Sequence, residues 1–238
     1  MPGLWQTTVV PLTRMAASTD PVEQLAGMKA LACVPADVSP AAEALIDALD
    51  RDDDQRQAGI AGLTHAAQSD CGRVVDVFAA RLKVRGARRR TTAAEDISLA
   101  AVAVWSASPI DPNANMYGER LTTYEPRPSP TDVTTKSAAI SLARDRFLTM
   151  LVASLGDPAR GVREAGVNAL LQIRQYDLRR RGQIPFVVQN GKMTPLRDDR
   201  LEKSKDALDK ARQIVAATDP DLAKKISDQL GALETSVF

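Results

Sequence analysis

"AGVNAL", residues 165–170, appears twice more in near copy, as "AGMKAL" at 26–31 and "AGIAGL" at 58–63. Each copy runs Ala-Gly, an apolar residue, a variable one, a small one and Leu, a spacing that suits one face of a helix. A glycine inside a helix costs roughly 1 kcal/mol relative to alanine. Glycines at matching places, Gly27, Gly59 and Gly166, therefore predict a packing reason. Lacking a Cβ, each would admit a neighbouring helix backbone to close range. Met28, Ile60 and Val167, then Leu31, Leu63 and Leu170, are expected to fill the adjoining layer. "SLAAVAVW" at 98–105 reads as a degenerate copy with alanine at the glycine place. The first two copies lie 32 residues apart, inside the range at which self-similarity signals stacked helical repeats.

Working outward, every hexad falls in the second helix of a predicted pair. In "SPAAEALIDALD", Ala42, Leu45, Ile46 and Leu49 stand at i, i+3, i+4 and i+7 behind Ser39 and Pro40, which suit an N-cap and a first helical position. The acidic turn "DRDDDQ" follows, and then a second apolar series through Ile60 and Leu63. The same reasoning pairs 4–17 with 21–33, 39–50 with 54–67, 71–85 with 93–107, 136–155 with 158–178, and 198–217 with 220–233.

"LVASLGDPARGVREAGVNALLQI", residues 151–173, resembles a HEAT-type repeat, with leucines closing one helix, an Asp-Pro turn and Val-Arg opening the next. Asp157, Pro158, Val162, Arg163, Ala165 and Leu170 occupy the family's positions. The resemblance implies that the turn aspartate and the helical arginine join a hydrogen-bonding ladder fixing one repeat against the next. Other pairs match less well: Arg56 keeps the arginine place but Gln55 stands where valine would, and Gln24 replaces the arginine after Asp20-Pro21. Asp219-Pro220 opens the last helix in the same manner. The expected fold is all-α: a single α-solenoid domain over 1–238, of about five HEAT-like hairpins carrying two insertions.

The first insertion, 106–135, contains Pro109, Pro112, Pro126, Pro128 and Pro130 and is expected to be a Pro-rich loop or strap. Tyr117 and Tyr124 lie in it, as candidates either for packing down on the helices or for meeting a partner. The second, 183–196, is expected to be a β-hairpin in which "IPFVV" and "KMTPL" flank Asn190-Gly191. Phe186, Val188 and Met193 would lean on the helices or form a contact arm.

The 238 residues are 44% apolar and only 4% aromatic, which favours close-packed helices over a β-sandwich. With 31 basic and 30 acidic residues, the formal charge of +1 provides no global field for nucleic acid or an anionic membrane. Any such binding needs a local patch. "RLKVRGARRR", with Arg88, Arg89 and Arg90, and "DLRRRG", with Arg179, Arg180 and Arg181, are the candidates. The plain reading places both near helix C-termini, where cations complement the macrodipole. Convergence on one face would instead allow several phosphate contacts.

Chemistry is otherwise sparse. His65 has no cysteine or histidine at metal-ligand spacing, Cys33 and Cys71 read as buried packing, and the acidic run at 50–54 lacks the glycine and final glutamate of a calcium loop. There is no phosphate-loop pattern, and neither cofactor nor metal is expected. The amino terminus does not read as a signal peptide, and no apolar run is long enough to cross a membrane. A cytoplasmic location is the expectation. The function expected is a non-enzymatic scaffold or adaptor that binds a protein or peptide. The alternatives are a nucleic-acid-binding repeat protein, DNA glycosylase-like in one version, or a subunit that assembles with its own copies.

Overall fold

In the computed structural model the described residues are 3–31, 39–67, 71–107, 130–179, 186–189, 192–195 and 199–235. They form ten helices and two short strands: α1 (Gly3–Ala16), α2 (Pro21–Leu31), α3 (Ser39–Ala48), α4 (Asp53–Ala66), α5 (Cys71–Leu82), α6 (Ala87–Ser106), α7 (Pro130–Ser154), α8 (Arg160–Arg179), β1 (Phe186–Gln189), β2 (Lys192–Pro195), α9 (Arg200–Ala216) and α10 (Pro220–Thr235). The fold class is all-α, as the sequence predicts.

Aspartates start the second helix of several pairs, because a carboxylate can satisfy the amides that a helix N-terminus leaves unpaired. Asp20 accepts from the Val22 amide at 2.9 Å, Asp52 from Gln55 at 3.0 Å and Asp157 from Ala159 at 2.7 Å. α6 begins differently. Gly86 stands at its N-cap with φ 101°, where a side chain would be strained, and no side chain caps the helix.

α1 packs on α2, α3 on α4, α5 on α6, α7 on α8 and α9 on α10. The second helices also meet in succession, α2 with α4, α4 with α6, α6 with α8 and α8 with α10. A connected core runs through them from Val9 to Ile226 and contains the fully buried Trp105 and an edge-to-face pair, Phe78 and Phe147, with centroids 6.0 Å apart. The hexad glycines lie where two helices touch. A Cβ on Gly27 would overlap the backbone nitrogen of Ala16 and sit 2.8 Å from the carbonyl carbon of Met15. At Gly59 it would lie 2.8 Å from the Leu45 carbonyl oxygen, and at Gly166 it would lie 2.7 Å from Ser154 Oγ and 3.3 Å from the Leu151 oxygen. Each glycine thus faces the closing turn of the first helix of its own pair.

Two boundaries differ from expectation. α7 begins at Pro130, so residues 130–135 belong to a helix and not to the insertion expected over 106–135. Proline is tolerated in a first helical turn, where its missing N–H would have no intrahelical partner anyway. α6 begins at Ala87, not near 93. Consequently Arg88, Arg89 and Arg90 stand in the first turn of a helix, and the expectation that they follow a helix C-terminus is corrected. β1 and β2 pair antiparallel, with Phe186 opposite Pro195 and Val188 opposite Met193. Their turn at 190–191 and the Pro-rich stretch 108–129, with Tyr117 and Tyr124, lie outside the described residues.

Candidate cleft among the starts of α4 and α6 and the end of α5

Side-chain ties join each second helix to the next. Gln55 Nε2 donates to Gln24 Oε1 at 2.6 Å, linking α4 to α2. Arg56 Nε donates to Asp96 Oδ1 at 2.6 Å, linking α4 to α6. Arg90 grips Asp157 through two hydrogen bonds, Nε to Oδ2 at 2.8 Å and Nη2 to Oδ1 at 3.2 Å. Arg163 donates to the Asp157 and Pro158 carbonyls at 2.9 and 3.0 Å and reaches Asp219 Oδ2 at 3.0 Å, ahead of α10. Charged pairs in this fork-like geometry are the stronger class of hydrogen bond.

These ties shift the acids they engage. Burial alone would raise Asp157, but the Arg90 hydrogen bonds, the Ala159 amide and the charges of Arg90 and Arg163 outweigh it and hold its carboxyl below the usual carboxylate range. Asp219 is lowered as well, chiefly by the hydrogen bond from Arg163. Asp96 goes the other way. Burial raises its carboxyl above the ordinary range, against the pull of the Arg56 hydrogen bond and of the Arg56 and Arg81 charges. It is wholly inaccessible to solvent, and its Oδ2 lies 3.7 Å from Arg81 Nη2.

Beside Arg56 and Arg81 opens a cleft of about 740 Å³ whose lining includes Leu49, Asp50 and Arg51 from the turn after α3, Asp53 and Arg56 from α4, Ala80 and Arg81 from α5 with Val84 just beyond it, and Arg88, Arg89, Thr92 and Ala93 from α6. Leu49, Ala80, Val84 and Ala93 are its apolar lining residues, and it carries five arginines against two aspartates. Arg56 is held by Asp96, with Asp53 and Glu95 at 3.7 and 3.6 Å. Arg81 pairs with Asp50 at 2.9 Å. Among the described residues Arg51 reaches the Ala16 carbonyl and Gln55 Oε1, both at 3.4 Å. Arg88 and Arg89 are exposed and, like Arg51, make no ion pair among the described residues. Cations in a first helical turn are repelled by the positive end of the helix dipole, and α6 has no acidic residue there to offset them.

The arginines expected as contacts thus separate. Arg88 and Arg89 face the cleft, whereas Arg90 beside them is engaged by Asp157. Arg179 is exposed in the last turn of α8, and Arg180 and Arg181 lie outside the described residues. The Arg90–Asp157 tie joins the starts of α6 and α8, while Trp105 Nε1 donates to Asp177 Oδ1 at 2.7 Å near their ends. The two helices therefore run side by side in one direction. Arg88 and Arg179 stand at opposite ends, separated by roughly the 30 Å length of a 20-residue helix. They do not converge. Phe186, Val188 and Met193 lie in the paired strands.

Sequence reasoning missed Arg51, Arg56, Arg81 and Asp96 as a group. A signal was present: Asp96 sits within "AAEDISLAA" at the same helical stripe as Ala93 and Ala100, and a carboxylate on an apolar stripe calls for a cationic partner. Among the described residues, no group of histidines, cysteines or acids is arranged to hold a metal ion, and no helix is long and apolar enough to cross a membrane.

No family model and no curated protein matches the chain. Among solved structures, an engineered protein from the Northeast Structural Genomics Consortium is 14% identical over 96% of this chain and 97% of its own, with a TM-score of 0.28.

Proposed function

We propose that the chain is a HEAT-like α-solenoid, a single domain over 1–238, that works in the cytoplasm as a non-enzymatic scaffold or adaptor for a protein partner. The recurrence of the inter-helix ties supports the solenoid reading: each of the four junctions between second helices carries at least one polar side-chain tie. Glycines at equivalent places against the first helix of their pairs support it independently. Stacked pairs of this kind offer long surfaces built from successive second helices.

The observation that carries a binding role is the cleft at the start of α6. Five arginines line this one opening, and three of them, Arg51, Arg88 and Arg89, make no ion pair with another described residue. A nucleic-acid reading draws on the same arginines, but Asp50 and Asp53 in the cleft wall and the remoteness of Arg179 count against a continuous phosphate track. Affinity capture with the intact chain tests the scaffold reading. A protein retained in stoichiometric amount after a salt wash, and confirmed by direct binding of the purified pair, is the expected result. Capture of nucleic acid alone, or of nothing, would overturn it.

A further inference from the structure

We propose that the cleft is the docking site for an acidic peptide segment of the partner protein, whose carboxylates pair with Arg51, Arg88 and Arg89. The inference deepens the scaffold reading and rests on it. Three guanidinium groups surround one opening, and they come from two separate places in the sequence, 51 and 88–89, brought together by the packing of α4 on α6. None has an ionic partner in the described fold. Two of them sit in the first turn of a helix that has no capping side chain and no acidic residue in that turn, so their positive charge adds to that of the helix end. Such an arrangement is unfavourable in the free protein and is relieved when an anion enters.

The neighbours of these arginines are fixed, which gives the site shape. Arg56 and Arg81 are braced by Asp96 and Asp50, and Arg90 by Asp157. The cleft is therefore not a loose tuft of long side chains. Its apolar lining residues Leu49, Ala80 and Val84 suit the methylene groups of a peptide. Asp50 and Asp53 set the limit on charge: they leave a modest cationic excess in one spot, enough for two or three carboxylates, and would repel the evenly spaced phosphates of a nucleic acid.

The test uses the full chain and a fluorescein-labelled dodecapeptide rich in glutamate, titrated by anisotropy at low salt. A lysine-rich peptide and a single-stranded oligonucleotide of matching length serve as comparisons. The glutamate peptide is expected to bind, and the double reversal Arg88→Glu/Arg89→Glu to weaken it by about tenfold or more, because reversing charges at a site converts attraction into repulsion. Arg51→Glu should weaken it independently, and Arg179→Glu, at the far end of α8, should leave it unchanged. Helical circular dichroism of each variant checks that it folds.

Four results would overturn the proposal: no binding of the glutamate peptide; equal weakening by Arg179→Glu; tighter binding of the oligonucleotide; or, in light scattering, an oligomer of the intact chain that the double reversal dissolves, which would give the cleft to a second copy. If the captured partner binds the double reversal as well as it binds the intact chain, the acidic-segment proposal fails while the scaffold reading stands. If the intact chain captures no protein, the scaffold reading fails whatever the peptide does.

Discussion

Replacing Gly27 by alanine sets two effects of opposite sign against each other. In an open helix the change stabilises by roughly 1 kcal/mol, because alanine is the better helix former. At Gly27 the added methyl would overlap the Ala16 nitrogen and crowd the Met15 backbone on α1, and backbone atoms cannot turn aside as a side-chain tip can. Overpacking of this kind costs about 1 to 3 kcal/mol, and rigid backbone on the opposing helix puts Gly27 at or beyond the upper end. The net expectation is a loss of about 2 kcal/mol or more. Gly59→Ala, crowding the Leu45 carbonyl oxygen at 2.8 Å, should be less severe. Gly166→Ala should cost least of the three, since its nearest obstacle is the Ser154 hydroxyl. Gly231→Ala, in α10, where an added Cβ would meet nothing within 4 Å among the described residues, is the internal control and should stabilise by about 0.5 to 1 kcal/mol. Urea titrations followed by helical circular dichroism give all four values. If Gly27→Ala and Gly59→Ala stabilise as Gly231→Ala does, the helices are not in close contact at the hexads and the reasoning is wrong.

Asp157 carries a pH dependence of definite sign. Its folded-state carboxyl is lowered, so its contribution is fully present above the unfolded value of about 3.9 and is lost as pH falls through the folded value. Asp157→Asn should therefore be less stable than the wild type near about pH 7, and the difference should shrink steadily below about pH 4; a pH-independent difference would contradict the assignment. Trp105→Phe removes the indole donor to Asp177 and leaves space in the core, and about 3 kcal/mol of destabilisation is expected in the same titration. A change under about 1 kcal/mol would show that the α6–α8 contact is not made there.

The repeated hexad made the helical pairing legible, because a glycine kept inside a helix against its propensity points to contact with another backbone. Asp157 and Arg163 were legible as inter-helix ties through a local motif, although their partners were not: Arg90 lies 67 residues from Asp157, and Asp219 lies 56 from Arg163. Periodicity speaks about one helix at a time. It placed Arg88 to Arg90 at the wrong end of a helix, since the break between α5 and α6 depends on one backbone conformation at Gly86. Without that boundary, the same three arginines looked alike. Packing separates them into one that ties α6 to the turn before α8 and two that face a cleft, with Arg51 supplied from a turn near residue 50 that nothing local connects to them.

The central claim is that consecutive helical pairs are stacked and fastened by side chains reaching from one to the next. A double-mutant cycle on Arg90 and Asp157, using both single alanine variants and the double variant in urea unfolding, tests it most directly. The account predicts a coupling energy of about 1 to 3 kcal/mol, with the second substitution costing little once the first is made. Losses that add to within about 0.3 kcal/mol would contradict it, because residues this far apart in sequence couple only if the fold brings them into contact.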